Sequence, residues 1–244
     1  MIKIENTEVV GWKHVIRGMR NPTNSWEKSD SYPGYDCTAC GKIEREGYCN
    51  PKEHDCSEYF GYEIGQNDHD LMMRLRNAGT DHRKFMRMIT VYVDITAPLY
   101  MLKELDQYKV GVTSNSCSTM HRIHAKEFTW EDFSTEHLIP CHECALGDIG
   151  PTLIMDSTIK ALNCYRKKYL ETKDKKYWWQ MIQLLPSSYN QKRTYCMNYE
   201  VLANIYKSRK THKLDEWVEF CKWIKTELPY SELITGETHE SNNK

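Results

Sequence analysis

The sequence lacks an apolar run long enough to cross a membrane. Charged residues interrupt each apolar stretch of residues 1–20, unlike the core of a signal peptide. It also lacks an excess of either charge: 33 basic residues stand against 34 acidic ones, and the formal net charge is −1. Such a balance gives no overall attraction to nucleic acid or to anionic membranes. We therefore expect a soluble cytoplasmic protein that partners neither a membrane nor a nucleic acid.

Cysteine, in contrast, is abundant. Ten cysteines in a reducing compartment suggest free thiols or metal ligands before disulfides. The pairs Cys37/Cys40 and Cys141/Cys144 each have the Cys-x-x-Cys spacing, and together they would complete a four-thiolate zinc site if their loops meet. Unpaired reduced cysteines are the alternative. We interpret residues 1–235 as a single domain with a Cys-rich insertion at about 30–62, followed by a flexible tail at 236–244.

The apolar spacing predicts a chain that mixes strands and helices. Val/Ile-rich stretches predict strands at residues 2–12 and 90–96. Residues with helical spacing predict helices at 14–19, 68–78, 99–108, 128–138, 152–172 and 177–185.

Seven small polar residues, 113–119, follow the helix predicted at 99–108. Their hydroxyl, amide and backbone N–H groups suit an anionic or heteroaromatic ligand. An ordinary solvated loop that caps a following helix is the alternative.

This region resembles the signature of the flavin-dependent thymidylate synthases, which is Arg-His-Arg, two residues, Ser, any, Asn-Glu, any, Ser, any, Arg after a strand, an Ala-Pro and a helix. Here Ala97-Pro98 is kept, as are Asn115 and Ser118. The replacements are Tyr108-Lys109-Val110 for the triad, Thr113 for the first Ser, Ser116 for the Glu and Met120 for the last Arg. This alignment needs one extra residue after Pro98; without it, Gln107-Tyr108-Lys109 takes the place of the triad.

A second segment, residues 185–209, matches the C-terminal region of the same family without a gap. The matching positions are Leu185-Pro186, Asn198, Leu202, Asn204 and Arg209. Lys192 or Arg193 takes the family's basic position, and Glu200 replaces an Arg. Near the N-terminus, Arg17 and Arg20 have the spacing of two family arginines that lie near the nucleotide and the flavin.

The resemblance implies an α/β (α+β) fold with a central sheet flanked by helices. It implies an FAD-dependent enzyme that methylates dUMP to dTMP with methylene-tetrahydrofolate and NADPH, in a homotetramer with shared active sites. FAD would carry the electron chemistry, so Cys117 is not interpreted as a nucleophile.

The resemblance also assigns roles to residues. Arg209 would be catalytic and would bind the pyrimidine, because a guanidinium can stabilise negative charge on the ring. The other substrate-binding positions are Ser116, Ser118 and Lys192, and the cofactor-binding positions are His82, Tyr108, Lys109, Asn115, Asn198 and Asn204. The alternatives are a structural role for His82, a basic helix end for Arg209 and a solvated helix face for Arg17 and Arg20.

The sequence departs from the family mainly at arginines, and FAD and dUMP both carry phosphates. Lys109, Arg122, Arg17 and Arg20 could replace part of the lost charge. Three functions remain open: a divergent flavin-dependent thymidylate synthase, a flavoenzyme of the same fold that acts on another pyrimidine nucleotide, and a non-catalytic nucleotide-binding or structural protein.

Overall fold

A computed structural model describes residues 2–35, 60–140 and 149–237. The strands are β1 (Lys3–Val10), β2 (Tyr32–Tyr35), β3 (Phe60–Glu63), β4 (Thr90–Pro98), β5 (Val112–Ser116) and β6 (Asn190–Asn198). The helices are α1 (Trp12–Arg20), α2 (Gln66–Asn77), α3 (Leu99–Leu105), α4 (Pro151–Thr172), α5 (Lys175–Leu184), α6 (Tyr199–Arg209), α7 (Asp215–Glu227) and α8 (Glu232–Thr235).

The centre of the fold is an antiparallel sheet with the strand order β1-β4-β6-β5. Along β4, the side chains of Val91, Val93 and Ile95 are buried, while Tyr92 is exposed. Because side chains alternate across a strand, the apolar residues of β4 face one side of the sheet. Helices α1, α2, α3, α6, α7 and α8 share this core with the sheet. The expected central sheet with flanking helices is confirmed.

The other side of the sheet is polar, and we call it the open face. Asp94 accepts hydrogen bonds there from Thr194 Oγ1 (2.6 Å) and Asn6 Nδ2 (2.9 Å), and its carboxylate lies 3.0 Å from Lys192 Nζ. These hydrogen bonds lower the pKa of Asp94 to about 2, so its carboxylate is ionised at neutral pH.

Helices α4 and α5 form a second, smaller core with residues 123–133. Ile123, Phe128 and Phe133 are buried in this core against Met155, Ile159, Leu162 and Met181. Both helices were predicted from their apolar spacing, and both are confirmed.

Two predicted elements differ from the structure. Residues 128–138 are not a helix but an extended segment with one 3-10 turn, Trp130–Asp132, because Asn163 binds both backbone groups of Phe128 (2.9 and 2.8 Å). The polar run at 113–119 is not a loop throughout, since residues up to Ser116 belong to β5 and pair with β6. Strand β6 itself was not predicted.

Arg20 is a buried structural residue in this chain. Its Nε donates to Asp68 Oδ1 at 2.6 Å, and its Nη atoms donate to the carbonyls of Ser25 and Lys28, both at 3.1 Å. The expectation that Arg20 serves a nucleotide or a flavin is therefore wrong for the single chain, because its donors are already committed. Arg17, on the same helix, is exposed.

The Cys-rich segment begins and ends at a small antiparallel sheet, in which β2 pairs with β3. The zinc ligands expected from the sequence, Cys37, Cys40, Cys141 and Cys144, lie outside the described residues. Within residues 2–35, 60–140 and 149–237, no group of three or more His, Cys, Asp or Glu side chains could hold a metal ion. None of the described helices is both long and apolar enough to span a membrane.

Candidate functional site

A cavity of about 490 Å³ lies at the end of β6 where Lys192 is found, and we call it the Ser118 pocket. Its lining includes Thr96, Cys117, Ser118, Arg122, Lys126 and Lys192. The pocket therefore unites two predicted substrate-binding residues, Ser118 and Lys192, that are far apart in the sequence.

The sheet positions the Ser118 turn. Where β5 ends, Cys117 N donates to Lys192 O (2.9 Å), and Gln191 Nε2 donates to Cys117 O (2.7 Å). Ser118 Oγ then accepts from His121 N at 2.9 Å and closes a turn. Because these bonds anchor residues 117–121 to β6, the turn has a defined place at the pocket rather than the freedom of a solvated loop.

Three cationic side chains line the Ser118 pocket, and they differ in whether a carboxylate pairs with them. Lys192 is 3.0 Å from Asp94 Oδ2 and 3.7 Å from Glu5 Oε2, and Lys126 is paired with Asp132. Arg122 is exposed, and its guanidinium has no carboxylate partner among the described residues. Arg122 is thus the cation of this pocket that is available to a bound anion.

A second cluster surrounds the N-terminus of α6. Asn198 caps the helix, since its Oδ1 accepts from Val201 N at 2.9 Å. Glu200 is paired with Arg87 and, at 3.4 Å, with Arg83, and Arg83 Nη2 donates to Asn204 Oδ1 at 3.1 Å.

The two arginines compensate the charge of Glu200. Burial by itself raises the Glu200 pKa, but the hydrogen bonds and charges of Arg87 and Arg83 outweigh burial and lower it. Glu200 is therefore ionised, and the nearby charge of Asp81 also contributes to the raised pKa of Arg87. The predicted cofactor residue His82 is exposed beside Arg83.

A third cluster holds Arg209 in the last turn of α6. Arg209 Nη1 lies 2.8 Å from Glu104 Oε2, and its Nε donates to Tyr108 Oη at 3.0 Å. The guanidinium carbon lies 4.8 Å from the ring centre of Trp217, a cation–π distance. Arg209 and Tyr108, which the resemblance placed at the substrate and the cofactor, are thus in direct contact.

The three clusters are well separated within one chain. Lys192 and Asn198 are six residues apart on β6, which corresponds to roughly 20 Å. On α6, Asn204 and Arg209 are five residues apart and point about 140° away from each other. The sequence assigned Arg209, Ser118 and Lys192 to one substrate site, but Arg209 is not among the residues that line the pocket of Ser118 and Lys192 in the single chain.

The remaining predicted residues lie on or near β5. On β5, Asn115 pairs with Thr194 and Ser116 pairs with Arg193 of β6. Asn115 and Ser116 line a shallow groove beside β6. Lys109 is exposed in the turn between α3 and β5. Sequence reasoning missed Arg83 and Arg87 as part of the α6 cluster, because nothing in the sequence indicated that they pair with Glu200.

The chain is similar to known proteins in its structure but not detectably in its sequence. Neither a protein-family model nor a curated protein matches the chain in sequence. Among solved structures, the chain is similar to thymidylate synthase X (ThyX) from Helicobacter pylori with FAD and dUMP, at a TM-score of 0.61 and 16% identity over 97% of this chain and 98% of that one. A second ThyX structure from Helicobacter pylori, also with FAD and dUMP, gives a TM-score of 0.62 and 15% identity over 96% and 98%.

These likenesses extend over nearly the whole of both chains. The chain therefore has the fold of the flavin-dependent thymidylate synthases, and the resemblance recognised in the sequence is confirmed at the level of the fold.

Proposed function

We propose that this protein is a divergent flavin-dependent thymidylate synthase that binds dUMP and FAD. The observation that carries the proposal is the Ser118 pocket, which Ser118 and Lys192 line together in a chain with the ThyX fold. Arg122 lines the same pocket and has no carboxylate partner among the described residues. A hydroxyl, backbone N–H groups and cations are the groups that a nucleotide phosphate needs. Arg122 would supply the positive charge lost at Met120.

The cluster at the N-terminus of α6 fits FAD. The Arg expected at position 200 is absent, but Arg83 and Arg87 bring two guanidinium groups to Glu200, beside Asn204. Arg83, Arg87 and His82, with the amides of Asn198 and Asn204, would hold the cofactor. Bound FAD supplies the hydride chemistry, whereas the protein binds, orients and excludes water.

The separation of the clusters supports active sites shared between copies in a homotetramer. Because Arg209 does not line the Ser118 pocket of its own chain, it would reach the pyrimidine bound to another copy. The open face of the sheet, polar and accessible at Tyr92, is a surface on which copies could meet. NADPH as the reductant, methylene-tetrahydrofolate as the one-carbon donor and a cytoplasmic location complete the proposal.

The first test is the visible absorption spectrum of the purified protein before and after addition of FAD, followed by gel filtration. Retained flavin bands are expected. If the protein is colourless and ignores added FAD, the synthase proposal fails, and tight dUMP binding by that colourless protein would favour a non-catalytic nucleotide-binding protein.

Arg209→Ala gives the second test. Charged hydrogen bonds contribute about 1.5–3 kcal/mol, so dUMP affinity should fall about 10- to 150-fold while flavin content is kept. Lys207→Ala, an exposed residue in the same turn of α6, is the matched control. Unchanged dUMP affinity in Arg209→Ala would show that Arg209 is not at the substrate site.

A further inference from the structure

The hairpin of α4 and α5 concentrates positive charge in a chain that is almost neutral. Residues 164–180 contain six Lys or Arg residues against two Asp or Glu residues, while the whole chain has a net charge of −1. Local concentration of this kind is the electrostatic signature of a surface that binds a polyanion. We call the surface the hairpin patch; its main residues are Tyr169, Lys173, Lys175, Lys176, Trp178 and Trp179.

Aromatic rings alternate with the lysines of this patch. The Nζ atoms of Lys173, Lys175 and Lys176 lie 5.9, 5.7 and 4.8 Å from the ring centres of Tyr169, Trp179 and Tyr177, respectively. Trp179 is 42% exposed. Lys176 also pairs with Asp174 at 2.9 Å. Cation–π contacts at exposed sites are weak, about 0.5–1 kcal/mol, so Lys173 and Lys175 can exchange theirs for phosphate groups and leave the rings to stack on bases.

A cavity of about 340 Å³ opens into the patch between Tyr169 and Trp178, and His121, His124 and Lys173 also line it. This volume is at the lower end of the range for small-ligand sites, which suits one base and its phosphate. The Nδ1 atom of His124 is buried and has no hydrogen-bond partner among the described residues. Because buried polar atoms are nearly always paired, this nitrogen offers an unused hydrogen-bonding position beside the cavity.

The cavity is distinct from the Ser118 pocket. The segment 117–124 separates them: Ser118 and Arg122 line the pocket, whereas His121 and His124 line the cavity. Trp178 Nε1 donates to Met120 O (2.9 Å), and Arg166 Nε donates to His124 O (3.0 Å), so α4 and α5 hold the segment from the side of the hairpin.

We propose that the hairpin patch binds single-stranded nucleic acid. Lysines would contact the phosphates, and the rings of Tyr169, Trp178 and Trp179 would stack on unpaired bases. Paired bases keep their faces inside a duplex, so the rings favour a single strand over a duplex. This site adds a partner that the near-zero net charge did not predict, because the charge is concentrated on one hairpin.

Fluorescence anisotropy with labelled oligo(U) and oligo(dT) of about 12 nucleotides tests the proposal. The full-length protein is titrated at several salt concentrations, beside a duplex of equal length and a heparin fragment. The test variant is Lys173→Gln/Lys175→Gln. The control is Lys13→Gln/Lys207→Gln, which removes equal charge from exposed positions on α1 and α6.

The expected result is single-strand binding that is tighter than duplex or heparin binding and that weakens about tenfold in the test variant only. The slope of log affinity against log salt concentration should also become shallower by about 1.4, or 0.7 for each lysine. Excess dUMP should leave the binding unchanged.

Three results would overturn the proposal. Equal oligonucleotide affinity in the test variant and the wild type would show that the hairpin patch does not bind the oligonucleotide. Equal affinity for heparin or duplex would reduce it to an unspecific basic surface. Displacement by dUMP would assign the oligonucleotide to the Ser118 pocket. Mapping of photo-crosslinks from 4-thiouridine oligo(U) provides an independent readout on the unmodified protein. Crosslinks outside both residues 165–179 and the cavity residues Met120, His121 and His124 would also contradict the proposal.

Discussion

Replacement of Arg20 by Met should destabilise the protein strongly. The Arg20 side chain is 4% exposed and that of Asp68 is fully buried, so the pair is shielded from water. Asp68 Oδ2 also accepts from the hydroxyl groups of Ser29 (2.7 Å) and Ser31 (2.6 Å). In Arg20→Met, these neutral donors remain, but the buried carboxylate loses the cation that balances it.

The magnitude follows from the burial of the pair. Removal of one partner of a buried ion pair costs about 3–5 kcal/mol, because the other charge stays buried and uncompensated. The carbonyls of Ser25 and Lys28 lose a donor as well. For a domain of this size, the loss corresponds to a melting temperature lower by roughly 6–20 °C. Arg17→Met, an exposed change on the same helix, should stay within about 0.5 kcal/mol of the wild type.

The effect should also depend on pH. Burial raises the Asp68 pKa, but the hydrogen bonds from Ser31, Ser29 and Arg20 outweigh burial and lower it. A lowered pKa stabilises the folded state above the unfolded pKa of about 4, and this stabilisation is lost as pH falls through the folded pKa. The difference in unfolding free energy between the wild type and Arg20→Met should therefore shrink below about pH 4.

Urea unfolding followed by tryptophan fluorescence, at one fixed protein concentration, measures these differences. If Arg20→Met unfolds like Arg17→Met, the pair does not stabilise the fold as the structure indicates. If Arg20→Met keeps its stability but loses FAD, the family resemblance was right about this residue, and the structural role argued for it is wrong.

Three further predictions concern charge, thiols and metal. Arg122→Gln should weaken dUMP binding about tenfold in calorimetry, and equal loss for uridine without a phosphate would contradict a phosphate contact. Burial raises the pKa of Cys221 to about 11, so at pH 8 iodoacetamide should modify the exposed Cys117 and Cys164 well before Cys221; mass spectrometry of the digest gives the order. Protein purified without added zinc should contain zinc in proportion to the chain if the two Cys-x-x-Cys pairs form a site, and metal-free protein would end that hypothesis.

Much of the fold could be predicted from the sequence, because apolar spacing reports burial directly. The strand at 90–96 and the helices at 152–172 and 177–185 follow from it. Strand β6 escaped prediction because Asn190, Lys192 and Arg193 near its start mask the alternation, and pairing with β4 and β5 decides its conformation. The helix predicted at 128–138 was wrong for a different reason. Its aromatic residues Phe128 and Phe133 are buried in the second core, but the backbone that carries them is extended rather than helical.

The candidate site was predictable only in part. Ser118 and Lys192 were found from the resemblance, and the structure brings them into one pocket. The sequence could not show that Arg209 contacts Tyr108 and Glu104 rather than lining that pocket, because this depends on which face of α6 each residue occupies. Nor could it show that Arg20 is buried. The sequence near a helix end is the same whether its basic side chain faces solvent or pairs with a buried carboxylate such as Asp68.

The candidate site carries positive charge at residues other than the two positions where the resemblance expects an Arg. At position 200 the family's Arg is replaced by a Glu, yet Arg83 and Arg87 both reach that Glu from the segment before β4. Position 120, where the resemblance expects an Arg, is a Met that lines the cavity beside Tyr169 and Trp178, whereas Arg122 lines the Ser118 pocket. A guanidinium without a carboxylate partner among the described residues, as at Arg122, is the group with which the phosphate of the proposed dUMP ligand would pair. The dUMP titration of Arg122→Gln therefore decides between the proposed synthase and a fold kept only as a scaffold.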